Sequence, residues 1–284
     1  MISKQQDPSK LGYLSLFKTP RFLLGFITLF ILITLALLHT SLVPYDPLLT
    51  NPEKRLCSIS TQHIFGCDLH GVDLFSLIIS GCRTTFSIAF TALFISTTVG
   101  TFLGFISGYF RGYCDLIIST LTSIFMAFPG ILLALSVAAF MGNSTLSVIV
   151  ALSISSWTAP TRLIRGETLR LMTTDYVAAS QALGANTSKI FFSHILPASF
   201  SPLIIFSTFS LSGLILTEAS LSFLGLGPQN ATESWGGLLN QGRSVLMEAP
   251  HLSLIPGFFI FWTILSLNLS GDALRDFFNP KSTP

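Results

Sequence analysis

Charge is what this sequence has least of. Asp, Glu, Lys and Arg make up 10% of its 284 residues, where a soluble domain carries about 25%. The formal net charge of +2 is too small to imply a nucleic-acid partner. No G-x-x-x-x-G-K-[ST] phosphate loop occurs, so the chain is not expected to hydrolyse ATP itself. Neither a Ser/His/Asp arrangement nor a paired intramembrane carboxylate is present, so no catalytic residue is assigned. The four cysteines say little. A Cys57–Cys67 bridge suits an oxidising compartment, and Cys57, His63, Cys67 and His70 resemble a zinc quartet only superficially, since their spacing fits no tight ligand pair. A plain structured loop is the third reading, and no metal ligand is assigned.

Apolar residues are abundant: 50% of the chain is hydrophobic, with a mean hydropathy of +0.69. A spanning helix needs about 20 apolar residues, and six stretches qualify: 22–43, 84–110, 116–140, 143–161, 198–224 and 252–270. The fourth is short and serine-rich, and reads as shielded by neighbours. The fold class expected is all-α integral membrane with six transmembrane helices. The first stretch is longer than the apolar core of a cleaved signal and no A-x-A site follows it, so it reads as an uncleaved anchor.

Lys and Arg orient the set. With the N-terminus in the cytoplasm, eleven of the fifteen fall inside: Lys4, Lys10, Lys18, Arg21, Arg111, Arg162, Arg165, Arg170, Lys189, Arg275 and Lys281. Lys54, Arg55, Arg83 and Arg243 fall outside, as the positive-inside rule requires. Both termini are expected in the cytoplasm. The layout is a cytoplasmic tail (1–21), an anchor (22–43), an outer loop ending in an amphipathic interfacial helix (44–83), a five-helix core (84–270) and a cytoplasmic tail (271–284).

Within the core, Gly100, Gly104 and Gly108 stand four apart, a groove on one helix face that admits another backbone. Pro129–Gly130 and Pro256–Gly257 should kink or loosen their helices. Glu218 is the one acid inside the membrane. It is a pathway or gating candidate by default, with a structural, hydrogen-bonded role as the alternative.

Between the fourth and fifth stretches the chain turns polar, with "DYVAASQALGANTSKIFFSHILP" at 175–197. Thr173, Thr174 and Asp175 offer N-cap and first-turn acceptors for a helix up to Leu183. Gly184 supplies a left-handed closing residue. Asn186 or Thr187 caps a second helix, and Pro197 opens the fifth span. Ala178 and Ala182 stack on the first helix, beside Ala179 and Ser180, leaving room for close approach. Ile190, Phe191, Ile195 and Leu196 anchor the second helix toward the bundle. A helix pair resting on lipid would carry large apolar residues where this one carries alanine and serine, so the composition favours a protein groove.

The hairpin resembles the "E-A-A, three residues, G, nine residues, I-x-L-P" signature of permease subunits of bacterial ABC importers. The triplet falls on Ala178, Ala179 and Ser180, the glycine on Gly184, the isoleucine slot on His194 and the end on Leu196–Pro197. Ala178 thus replaces the acid, and Ser180 the second alanine. "HILP" is typical of the dipeptide and oligopeptide branch. "FGCDLHGVDLFSLIISGCR", "EASLSFLGLG", "SWGGLLNQGR" and "NLSGDALRDFFNPK" are similar to segments of C-type peptide permeases. The resemblance covers nearly the whole chain after residue 15.

That resemblance implies a type I permease-like fold in the bacterial inner membrane. It also implies that the hairpin at 173–197, with Asp175 at its head, is the coupling helix seated in a cytoplasmic ATPase. Partners implied are a homologous second permease, two ATPase subunits holding ATP and Mg, and an external binding protein, with no cofactor on this chain. Arg162, Arg165 and Arg170 flank the hairpin and face either the ATPase or lipid phosphates. The cargo implied is a di- or oligopeptide, with nickel chelate or haem as alternatives. An ion-coupled secondary transporter would need several midplane ionisable groups and often an internal repeat; only Glu218 qualifies.

Overall fold

Prolines and glycines set where the helices of this chain stop. The computed structural model describes residues 20–228 and 234–278. The tail expected at 1–21 therefore lies almost wholly outside the described residues, with Lys4, Lys10 and Lys18. Of the tail expected at 271–284 only 279–284, with Lys281, lies outside, and 271–278 are the last turns of the final helix. Among the described residues there is no strand, only an isolated bridge between Cys67 and Asp73. Helix α1 (Pro20–Leu37) opens on a proline, whose missing N–H is harmless in a first turn, and a short α2 (His39–Leu42) follows. Helix α3 (Leu74–Phe110) comes next, then α4 (Gly112–Ala127) and α5 (Gly130–Met141), bent by 87° across Phe128 and Pro129.

Helices α6 (Thr145–Ser156) and α7 (Thr158–Leu171) are divided only at Trp157, which keeps helical dihedrals (φ −67°, ψ −24°). Pro160 explains the division, because it gives the Ser156 carbonyl no N–H and its ring crowds that oxygen. Helices α8 (Asp175–Ala182) and α9 (Thr187–Ile190) form the polar hairpin. A π-helical turn (Phe191–Ile195) and α10 (Leu196–Ala198) lead into α11 (Phe200–Phe223). Helices α12 (Trp235–Arg243) and α13 (His251–Phe278) complete the described chain.

By length and composition, α1, α3, α11 and α13 can each cross a membrane, and α4 with α5 make a fifth crossing if the bent pair is one span. The fourth predicted stretch is the α6–α7 run. The interfacial helix predicted before residue 84 does not exist as a separate element. Residues 74–83 are the first turns of α3, and Leu74, Leu77, Ile78, Ile79, Gly81 and Cys82 are all buried. A helix lying on lipid keeps one polar face in water; this one is enclosed by protein instead. Pro256 sits in the second turn of an unbroken α13, where it disturbs only the carbonyl of Leu252 near the helix start.

Two apolar clusters hold the ends of the bundle. The larger gathers α3, α6, α11, α12 and α13 around Trp235, which is fully buried and donates its Nε1–H to the Ile78 carbonyl at 2.9 Å. The smaller surrounds the root of the hairpin. Helix α1 lies on α13 at Gly25, where a Cβ would come within 2.5 Å of Ser270 Oγ and 2.7 Å of the Ser266 carbonyl oxygen.

Candidate functional site

The last three turns of α3 carry the candidate site on two faces. On one face stand Gly100, Gly104 and Gly108. A Cβ on Gly104 would lie 2.5 Å from the Thr161 carbonyl oxygen and 2.9 Å from Ile164 Cβ, and one on Gly108 would lie 2.7 Å from Thr168 Cβ. The glycines therefore let α7 lie backbone to backbone along α3, and α7 is the helix that runs into the hairpin. On the other face Phe105 meets Phe191 with ring centroids 4.5 Å apart, and Phe102 meets the same ring at 5.4 Å. Val177, Ile190, Phe191 and Ile195 are buried there with Ile164, Leu171 and Leu203. The hairpin is thus rooted in α3, α7 and α11 together.

Above that root the hairpin stands clear. Asp175, Tyr176, Ala178, Ala179, Gln181, Ala182, Leu183 and Gly184 are exposed, and Leu183 is 89% exposed. The projecting surface is small-sided, with one leucine and one tyrosine standing out of it. Gly184 takes φ +81°, as a left-handed closing residue must. Its N–H donates to the Gln181 carbonyl and that of Ala185 to the Ser180 carbonyl. Asn186 caps the second limb, its Oδ1 accepting from the Lys189 N–H at 2.8 Å.

The first cap is built differently from the prediction. Thr174 is the N-cap residue of α8, but its hydroxyl donates to the Leu171 carbonyl at 2.6 Å, and that of Thr173 donates to the Arg170 carbonyl at 2.8 Å. The last carbonyls of a helix lack intrahelical donors, and the end of α7 captures both hydroxyls. Asp175 remains in the first turn of α8, where a negative charge suits the helix dipole.

Two signature positions prove to be one contact. His194 Nε2 lies 3.0 Å from Ser180 Oγ, and Tyr176 sets its ring edge-on to the same imidazole at 5.8 Å. The serine in the triplet and the histidine in the isoleucine slot thus cross-link the two limbs. Leu196 packs on the root cluster, whereas Pro197 is exposed. The π-helical turn ends just before this proline. It widens the helix where Pro197 can neither donate to the Ser193 carbonyl nor clear it.

Glu218 lies far from the hairpin. It is 0% exposed between α3, α11 and α12, with Ser222 Oγ donating to its Oε1 at 2.7 Å and Thr85 and Ser234 beside the carboxylate. The predicted outer loop folds on its own carboxylates. Asp68 Oδ1 accepts from the N–H groups of His70 and Val72, and Asp73 Oδ2 caps α3 by accepting from the Ser76 N–H. Cys57 and Cys67 are joined as a disulfide. His63 lies near them, but its Nδ1 is bound to Asp73 Oδ1 at 3.0 Å. With both sulfurs bonded to each other, the zinc-like quartet has no thiolate to offer.

Sequence reasoning passed over the ion pair that fixes α4. Arg165 Nε and Nη2 donate to Asp115 Oδ1 and Oδ2 at 2.6 and 2.7 Å, and Ser107 Oγ joins Oδ1. An acid in so charge-poor a chain was itself the available signal. Of the other flanking arginines, Arg162 contacts Met126 Sδ and Arg170 pairs with Glu167. Helix α4 is otherwise bare, with Thr122 its one buried residue and Tyr113, Leu116 and Ile117 each at least 60% exposed.

Comparison with known proteins follows the same outline. Residues 100–283 match the profile of a family described as binding-protein-dependent transport system inner membrane component. The chain is 41% identical over 252 residues to the glutathione transport system permease protein GsiD of Pectobacterium atrosepticum, covering 88% of this chain and 84% of that one. It is 44% identical over 237 residues to GsiD of Salmonella typhimurium, covering 84% and 76%. Among solved structures, the MetNI methionine ABC transporter in an inward-facing conformation superposes with a TM-score of 0.59 at 19% identity, covering 72% of this chain and 97% of that one. An amino acid ABC transporter crystallised with histidines gives 0.54 at 19% identity, covering 71% and 95%. At that identity the likeness speaks for the fold.

Proposed function

Because the chain belongs to the family of binding-protein-dependent transport inner membrane components, as a permease subunit of an ABC importer and not an enzyme, we propose that its cargo is a peptide and that the 173–197 hairpin is the handle through which a separate ATPase drives it. The observation that carries this reading is the division of the hairpin into a buried root and a bare, small-sided crest. The root ties the crest to three long helices, so a displacement at Ala178–Leu183 moves α3, α7 and α11 as a body. The alanine and glycine surface, with Leu183 projecting, suits entry into a protein groove. ATP and Mg sit on the ATPase partners, and no step of hydrolysis falls to this chain.

Three further assignments belong to the same proposal. The hairpin end faces the cytoplasm, following the distribution of Lys and Arg, and the disulfide end faces the oxidising side. A homologous second permease covers the face of α4 and α5, where only Thr122, Ala134 and Ala138 are buried within this chain, and lipid covers what the partner leaves bare. Glutathione, a tripeptide, is the first cargo to try, since the similar permeases carry that name. The test is reconstitution with the partner subunits and an external binding protein. Peptide-loaded binding protein should raise ATP turnover and drive uptake, and Gly184→Val should uncouple both while the chain stays in the membrane. Stimulation by haem or a nickel chelate and not by peptides would refute the cargo assignment.

A further inference from the structure

A cavity of about 530 Å³ lies between the two roots of the hairpin and the end of α13. Glu167 and Arg170 of α7 form the wall that enters the hairpin, Ser201 and Phe206 of α11 the wall that leaves it, and Arg275 and Phe278 of α13 close it. Its level along the bundle follows from packing. Thr168 seats on Gly108, two residues before α3 ends, so Arg170 stands level with the helix ends. Arg275 is in the last turn of α13.

Two arginines and one glutamate line the cavity, which leaves it net positive. Arg170 Nε and Nη2 both donate to one oxygen, Glu167 Oε2, at 3.1 and 2.6 Å, so a guanidinium of five N–H groups is only partly engaged. Asp272 and Asp276, the acids nearest Arg275 in sequence, are exposed and lie outside the lining. On the bundle side of the arginines the lining is apolar: Leu163 precedes Arg170 by two turns of α7, and Ile205 and Phe206 follow Ser201 along α11. A small soluble anion has no use for Leu163 and Phe206, whereas an amphiphile uses both halves of such a site. We propose that this cavity binds the headgroup of an anionic phospholipid, its phosphate held by Arg170 and Arg275 and its first methylenes laid against Leu163 and Phe206. The lipid then bridges the helices on either side of the hairpin to α13. That it stiffens the handle rests on the coupling reading; the lipid site itself does not.

Native mass spectrometry of the assembled importer, titrated with phosphatidylglycerol or phosphatidylcholine, tests the site without recourse to transport. Phosphatidylglycerol should be retained in preference, and Arg170→Gln with Arg275→Gln should weaken retention about tenfold or more. Arg21→Gln, elsewhere at the same end, should leave it unchanged, and the double lysine variant should keep most of it. Should the glutamine variant fail to assemble, Ser201→Trp fills the cavity with both charges intact and should give the same loss. Equal retention of the two lipids, or full retention in both the glutamine and tryptophan variants, overturns the assignment. So does a photocrosslinker at position 201 that captures the ATPase instead of lipid.

Discussion

At Gly184 nothing lies within 4 Å of where a Cβ would be, so the only obstacle to substitution is φ +81°. A side chain in that conformation costs about 1–2 kcal/mol, and a β-branched one sits at the upper end. Gly184→Val should therefore distort the turn, lowering the unfolding midpoint by a few degrees and uptake with it, while Gly184→Asn, which tolerates left-handed backbone, keeps most of both. The Ser180–His194 contact makes a sharper prediction. Ser180→Ala strands one imidazole nitrogen, and His194→Ile strands a hydroxyl. Replacing both at once gives the apolar pair of the common signature. A double-mutant cycle on thermal unfolding in detergent should show a coupling of about 1 kcal/mol. Additive single effects would mean that the two limbs are not cross-linked.

Among the elements, the α3–α7 seam is the tightest. Gly104→Ala places its Cβ against the backbone of Thr161, which cannot move aside, and overpacking of this kind costs about 1–3 kcal/mol. Gly213→Ala in α11, where a Cβ meets nothing within 4 Å, should be neutral or stabilising, because alanine is the better helix former. Unfolding midpoints of the two variants read the difference directly. The glycine spacing was legible in the sequence, since a period of four marks one helix face, but its partner was not. Nothing in residues 158–171 says that they will lie on α3. The turn at Gly184 and the cap at Asn186 were legible for the same local reason. The fates of Thr173 and Thr174 were not, because helix and hairpin ends compete for their hydroxyls in three dimensions. Residues 74–83 misled through their apolar pattern, which reads alike for a helix on lipid and for one enclosed by protein.

For the whole molecule, two consequences can be measured. The Cys57–Cys67 bridge closes a short loop over the start of α3, and a loop of that size is stabilised by about 3 kcal/mol in the chain-entropy account. Replacing both cysteines by serine should lower the unfolding midpoint and leave the hairpin end intact, as judged by unchanged protease sensitivity there. Purified alone, the chain should hydrolyse no ATP, and activity should arise only with its ATPase partners present. The helix that joins these two ends is α3: 37 residues with no proline and no interruption, about 55 Å from tip to tip. An unjointed shaft of that length has no place to absorb a tilt. Under the proposed coupling, a tilt imposed where Phe105 meets Phe191 reappears at Asp73, the other end of the same helix, so the two ends of α3 move together.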